Sequence, residues 1–397
     1  MMEAVHEDIV IVGAGIAGLT TSLGLHRLGI RSLVLESSDS LRITGFAFTT
    51  WTNAWKALDA VGLGDSLRAN HQRLYGSAAT STISSGAKGH EVRCLQRKLL
   101  LEALSNELPS GTIRFSSKVV SVEESGFYKL VHLADGTILK TKVLIGCDGV
   151  NSVVAKWLGF KNPTFTGRCA IRGCVDFKRS HGFAPKFRMF VGKGFQSGFI
   201  PCNDQTVFWF FTWTPSGQEK EIEDNPTEMK RLVLSKLENA PDEIRGIIEN
   251  TDLDGIMLSP LRYRHPWELL WGNISKNNVC VAGDALHPMT PDIAQGGCAA
   301  LEDGVVLARC LAEALLKEPG GEKGEREECK WIEMGLNKYA KERRWRSIAL
   351  ISIAYMVGFI QQGDGKVMHF LRDKVSAYLP GLRFKMADFD CGKLSIS

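Results

Sequence analysis

None of the ten cysteines stands in a CxxC pair, so zinc ribbons and thioredoxin-type redox centres are excluded. The thiols are scattered, several within apolar runs where cysteine serves as a small core residue, and they imply a reducing compartment without disulfides. No apolar run approaches the roughly 20 residues of a bilayer crossing. The one candidate, residues 348–360, reads as a helix packed on the core or on a partner. Neither sign of charge dominates. Lys and Arg number 48 against 44 Asp and Glu, net +4, with no arginine stripe among aromatics, which argues against nucleic acid as a partner. The first strand pattern begins by residue 8, leaving no room for a signal or transit peptide, so the cytoplasm is the expected location. Internal repeats are absent, and no spacing suits a metal.

What is present is a chain of 397 residues, 44% hydrophobic and 23% charged, globular in make-up and too long for one simple core. Residues 8–12 are an apolar run ending in glycine, as a strand buried on both faces should be. Ile16 to Leu28 has helical spacing and stops at Gly29, and Arg31 to Glu36 is a second strand, which completes a βαβ unit. Helices are expected over Asn53–Leu63 and Gln96–Leu108. Residues 118–123, 128–134 and 138–144 read as a strand meander with a type I′ turn at Asp135-Gly136. From Gly167 to Trp213 aromatic residues recur at period two, an antiparallel sheet. A helix over Asp224–Asn250, a long one over Gln295–Leu316, a polar linker over 318–328 and a helix from Lys330 to about Gln361 follow.

Gly13-x-Gly15-x-x-Gly18 joins the first strand to the first helix. Gly13 permits the tight turn, Gly15 lets a pyrophosphate approach the backbone, and Gly18 lets helix and strand pack closely. Ile16 and Ala17 open a helix whose free N–H groups and positive dipole end suit phosphate. Glu36, closing the second strand, can accept both ribose hydroxyls of an adenosine. A lone GxGxxG is a weak signal, but the strand–turn–helix–strand–Glu frame makes it strong. Far down the chain another apolar strand ends in Gly283-Asp284, then the Pro288–Pro291 loop and a helix beginning near Gln295. The Asp284 carboxylate can bond ribityl hydroxyls, while N–H groups at Gly296 and Gly297 can face the flavin edge where reduction builds negative charge. Two such pieces imply one extended FAD. A third buried strand ends in Asp148-Gly149. The expected fold is therefore α/β: a Rossmann-like FAD-binding domain (1–73, 95–160 and 276–328) interleaved with an antiparallel-sheet substrate domain (74–94 and 161–275), plus a C-terminal helical segment (329–397).

On these motifs the chain resembles the class A flavoprotein monooxygenases of the para-hydroxybenzoate hydroxylase fold, over roughly residues 7–355. Within them it is similar to plant monooxygenases that resemble salicylate hydroxylase, with zeaxanthin epoxidase a more distant relative. The resemblance implies that Asp148-Gly149 serves both FAD and the nicotinamide cofactor, and that Arg97 and Arg42 are directed at FAD. It also implies that the Pro291 carbonyl faces the reactive flavin position, and it places Glu302-Asp303 where the family expects them. Two departures stand out. Ala155-Lys156 replaces the arginine usual three residues after Ser152, and Asp292-Ile293-Ala294-Gln295-Gly296 replaces Asn-Leu-Gly-Gln-Gly, which puts a carboxylate near the flavin or facing solvent.

The implied reaction is reduction of FAD by NAD(P)H, capture of O2 and oxygen transfer from a C4a-hydroperoxide to a small aromatic or other apolar ring, with oxidative decarboxylation where a carboxylate occupies the attacked carbon. No second glycine-rich βαβ unit serves NAD(P)H, in keeping with a transient visitor. The cofactor carries the chemistry, so no metal or protein nucleophile is required, and His287 reads as a packed neighbour of the loop. Substrate contacts are expected from the aromatic sheet, with Phe187, Met189, Phe199, Trp209 and Phe211 as candidates. No arginine can be assigned to a substrate carboxylate. Epoxidation of an alkene or terpenoid is the alternative reaction, and a non-catalytic binding protein on the FAD scaffold is the alternative class.

Overall fold

The strand Val5–Val12 lies inside a mainly parallel sheet because Ile9 to Val12 are apolar on both faces and are buried. In this computed structural model, which describes residues 5–41, 46–75, 77–79, 82–83, 90–192, 194–217, 219, 222, 225–316, 324–362 and 381–395, that strand pairs in parallel with Ile138–Gly146 and with Leu33–Leu35. Val279–Val281 joins Ile138–Gly146 in parallel, with Cys280 opposite Ile145. Only one strand therefore separates the beginning of the chain from a segment about 270 residues later, and both glycine motifs end on the same sheet. The helix Gly296–Leu316 packs on Ile16–Arg27, on Thr52–Ala60 and on the helix Glu325–Gln362. Gly304 makes the first contact possible, since a Cβ there would lie 2.6 Å from Thr20 Cβ.

The antiparallel sheet runs in the order Ile256–Tyr263, Thr164–Asp176, Thr206–Trp213, Phe195–Pro201 and Phe187–Gly192, extended at its edge by two short strands. Its register sorts the side chains by face. Met189, Gly198, Phe210, Arg172 and Met257 form one row across five strands. The adjacent row is Arg188, Phe199, Trp209, Gly173 and Ile256, which alternation turns to the other face. Phe199, Trp209 and Phe211 accordingly pack with Val233, Ile244 and Ile248 from two covering helices. Three of the five aromatic-sheet candidates for substrate contact are thus core residues. Trp209 Nε1 donates to Thr251 Oγ1 at 2.9 Å, and Gly173 leaves room for its ring, which a Cβ would approach to 2.7 Å.

Other expectations change locally. Residues read as one helix from Asp224 to Asn250 are two, Pro226–Lys236 and Asp242–Glu249, because Pro241 lacks the N–H a helix interior needs and stands at the start of the second. The turn at Asp135-Gly136 is not type I′, since only Gly136 has a positive φ, +87°. The Gly136 N–H donates to the Leu133 carbonyl at 3.1 Å, a type I turn followed by a glycine bulge. The polar stretch 318–328 is already helical at Glu325, where Glu325, Glu327 and Glu328 complement the dipole of the helix they begin. The strand Ile256–Tyr263 was not foreseen. The apolar run 348–360 lies within Glu325–Gln362, burying Leu350, Ile351, Ala354 and Val357 and exposing Tyr355, Met356 and Phe359. No helix among the described residues is long and apolar enough to cross a membrane, and the ten cysteines are free thiols.

Substituting Trp209→Ala should destabilise the protein by about 3–5 kcal/mol, as loss of a fully buried aromatic does. Phe208→Ala, on the opposite face, should cost less, and thermal unfolding of the two variants side by side checks the assignment of faces.

Candidate functional site

The glycine turn is built by close approach. Gly13 has φ +102°, and a Cβ there would lie 2.5 Å from the Cys147 carbonyl oxygen, so only glycine lets the first strand end beside the strand Ile138–Gly146. Gly15 differs: a Cβ on it would meet nothing within 4 Å. It caps the helix Ile16–Arg27 without a side-chain hydrogen bond, and the first turn holds no acidic residue, so the helix start is left available to an anion. Glu36 is buried beneath the turn, where Oε2 accepts the Ala14 N–H at 3.0 Å and Oε1 the Ser38 N–H at 2.9 Å.

The late motif is held from behind by charge. The Gly283 N–H donates to Asp303 Oδ2 at 2.7 Å, His287 Nε2 lies 2.7 Å from the same oxygen, and Arg343 Nε donates to Oδ1 at 2.5 Å. Glu302, beside it, pairs with Arg343 Nη1 and Arg346 Nη2, each at 2.7 Å, and accepts from Asn53 Nδ2. Burial alone would raise the Asp303 carboxyl, but His287 and Arg343 overcome it and hold it down at about 2. Arg264 fixes the next residues by donating Nη2 to the Ala285 carbonyl at 3.1 Å and Nε to the Leu286 carbonyl at 3.0 Å. Asp284 is thereby left pointing into open space while ringed by protein. Burial raises its carboxyl, opposed by His287, Arg97 and Arg172.

A cavity of about 570 Å³ joins these parts. Gly15, Ile16, Ala17 and Gly149 line it, as do Arg97, Gly283, Asp284, Pro291, Gly296 and Gly297. Phe187 and Met189 line it from the sheet, with Gln196, Phe208, Phe210, Thr212 and Met257. Gly13, Gly18 and Glu36 stand behind the wall and shape it. Asp148 does not line the cavity; its Oδ2 accepts the Val153 N–H at 2.7 Å and its Oδ1 the hydroxyl of Ser152, the cap of the helix Val153–Trp157, at 2.5 Å. Arg42 lies outside the described residues. Lys156 is exposed and Ala155 buried. Asp292 neither faces solvent nor stands alone, since Arg168 grips it with two hydrogen bonds at 3.1 and 2.8 Å. Sequence reasoning missed Arg172, Arg383, Phe208, Phe210 and Met257. The period-two signal pointed to this sheet but could not say which of its faces looked inward.

The residues present fit FAD. An uncapped helix start beside a backbone with open space at Gly15 suits a pyrophosphate. A second helix begins at Gly296 with no acidic residue in its first turn, where it can face an electron-rich ring edge. Asp284 offers acceptors to hydroxyl groups between them.

Comparison with known proteins agrees. The family described as FAD binding domain matches residues 6–324. The chain is 59% identical over 408 residues to Monooxygenase 2 of Arabidopsis thaliana, covering 99% of this chain and 100% of that protein. Its fold matches Klebsiella pneumoniae HpxO complexed with FAD and uric acid, with a TM-score of 0.75 at 22% identity over 98% of this chain and 96% of that one. A salicylate hydroxylase substrate complex matches with a TM-score of 0.69 at 17% identity over 98% of each chain.

Because the space at Gly15 is open, Gly15→Val should fold yet purify without flavin. A yellow variant with full flavin content would refute the pyrophosphate placement. Arg343→Met leaves two buried carboxylates short of a cation and should cost about 3–5 kcal/mol. The Asp303 carboxyl is depressed from 3.8 to about 2, so its contribution is complete above about pH 4 and is lost as pH falls towards 2. The stability lost in Arg343→Met should therefore be greatest above about pH 4 and shrink as pH falls towards 2, which unfolding midpoints between pH 2 and 7 would record.

Proposed function

This chain belongs to the FAD binding domain family and is an FAD-dependent monooxygenase, and from that premise we propose that it uses NAD(P)H and O2 to hydroxylate a small aromatic or other apolar ring. One observation carries the reading: the glycine and aspartate motifs expected to hold the cofactor open into the same cavity as an apolar sheet face bearing Met189, Phe208, Phe210 and Met257. The bound flavin would supply the redox chemistry, accepting reducing equivalents from NAD(P)H and activating O2. The protein's part is to bind, orient and exclude water. Gly15, Ile16 and Ala17 present backbone to the pyrophosphate, Asp284 accepts from the ribityl hydroxyls, and Gly296 and Gly297 present N–H groups to the ring edge. Arg97 supplies positive charge beside Asp284, and Gly149 represents the middle motif at the cavity. The Pro291 backbone borders the position where oxygen transfer takes place, with Phe187 and Met189 among the groups that hold the substrate ring.

The neighbours fit this reading, since the HpxO structure holds uric acid and another neighbour is a salicylate hydroxylase. The test is substrate-stimulated oxidation of NADPH and NADH by the flavin-loaded protein across a panel of phenols and aromatic acids, run under ¹⁸O₂. One labelled oxygen on a ring carbon is expected. Label in an epoxide, obtained with an alkene substrate, would assign the alternative reaction. Product oxygen drawn from water, or no stimulation by any compound, would refute the monooxygenase reading of this cavity.

A further inference from the structure

We propose that Arg383, carried on the C-terminal segment, is the cation that receives a carboxylate group of the substrate. The inference rests on the monooxygenase reading above and adds the charge class of its substrate and the residue that selects for it.

The charges around the cavity are unequal. Among the described residues the cavity is lined by three arginines, Arg97, Arg172 and Arg383, and by two carboxylates, Asp284 and Asp292. Asp284 has His287, Arg97 and Arg172 as neighbouring charges that oppose the effect of its burial. Asp292 is already neutralised, since Arg168 holds both of its oxygens. Arg383 feels the same Asp292 carboxylate but makes no ion pair with it among the described residues. Its Nη2 donates to the Asp292 backbone carbonyl at 2.7 Å, a neutral acceptor, and its buried Nε has no partner among the described residues. Burial, opposed by the Asp292 carboxylate, lowers its pKa only to about 10, so at neutral pH the group is a cation.

A guanidinium set into a cavity wall with one of its five donors on a peptide oxygen is costly unless something supplies the missing charge. Its planar fork matches a carboxylate in two parallel hydrogen bonds. The segment that carries it is anchored just beyond Arg383. Phe384 stacks on His90 with ring centres 4.6 Å apart and meets Trp51 edge-on at 5.8 Å, while Arg346 Nη2 donates to the Met386 carbonyl at 2.7 Å. Arg383 also sits on the carbonyl of Asp292, next to Pro291 in the loop assigned to the reactive position. An aromatic ring against Met189, Phe210 and Met257 would leave its carboxylate for Arg383.

The experiment uses full-length, flavin-loaded protein titrated with matched pairs that differ only in charge (benzoate and benzamide, 2-naphthoate and 2-naphthamide, indole-3-carboxylate and its amide), followed through flavin absorbance. In the wild type at least one carboxylate should bind about tenfold more tightly than its amide, the scale of a charged hydrogen bond. Arg383→Gln should abolish that preference by weakening the carboxylate while the amide changes little, and Arg383→Lys should restore part of it. Flavin content should be unchanged. Carboxylate preference that survives in Arg383→Gln would overturn the proposal. So would equal weakening of both members of each pair, loss of flavin, or a wild type that prefers no carboxylate. Failure of the underlying monooxygenase reading would look different: the wild type would show no substrate-stimulated NAD(P)H oxidation, whatever Arg383 does to binding.

Discussion

Two carboxylates shut away from water, Glu302 and Asp303, are the constraint on which the rest of the molecule depends. Their dehydration is offset by Arg343 and Arg346 from the helix Glu325–Gln362, by Asn53 from the helix Thr52–Ala60, and by His287. What the pair gains in position it passes on. Asp303 takes the Gly283 N–H and lies against His287, so the turn after Val279–Val281 can adopt no other course. Arg346 then reaches the Met386 carbonyl, tying the C-terminal segment to the same charges. Segments hundreds of residues apart are registered by one balanced ionic cluster, and they surround the cavity.

That arrangement explains why the cavity can be both charged and apolar. Its charges stand on backbone fixed from outside the cavity: Asp284 on a turn held by Asp303 and Arg264, Asp292 on a loop gripped by Arg168. The apolar part is one face of an antiparallel sheet whose other face is buried under two helices. A sheet backed by two packed helices holds its strands in register, so the side chains of its inward face are presented at set spacing. The carboxylate at Asp292 adds no net charge to the loop, because Arg168 comes with it. This chain has compensated for the residue that sets its loop apart from the usual Asn-Leu-Gly-Gln-Gly.

Local chemistry was readable from the amino-acid order. The strand, glycine turn, helix and second strand at the start follow from short-range rules: apolar residues on both faces, a positive φ that glycine tolerates, a helix start without a cap. Pairing of Val279–Val281 with that unit was implied by a second apolar strand ending in Gly283-Asp284, since a lone strand of that kind must be buried somewhere. By contrast, the motif did not reveal that the Asp148 carboxylate accepts the Val153 N–H, because a partner five residues along is invisible to it.

The inward face of the aromatic strand belonged to the tertiary structure alone. Thr206–Trp213 is apolar except at Thr206 and Thr212 and is buried on both sides, so no exposed polar residue marks an outer face. Only the register with Thr164–Asp176, which sets Arg172 beside Phe210 and Gly173 beside Trp209, decides that Phe210 looks into the cavity and Trp209 into the core. Likewise nothing near Arg383 or Arg168 in sequence announces Asp292; Arg168 is 124 residues from it. The order of residues set which turns and helices the backbone could form, whereas which charges and faces met was fixed by packing between segments that share no sequence neighbourhood.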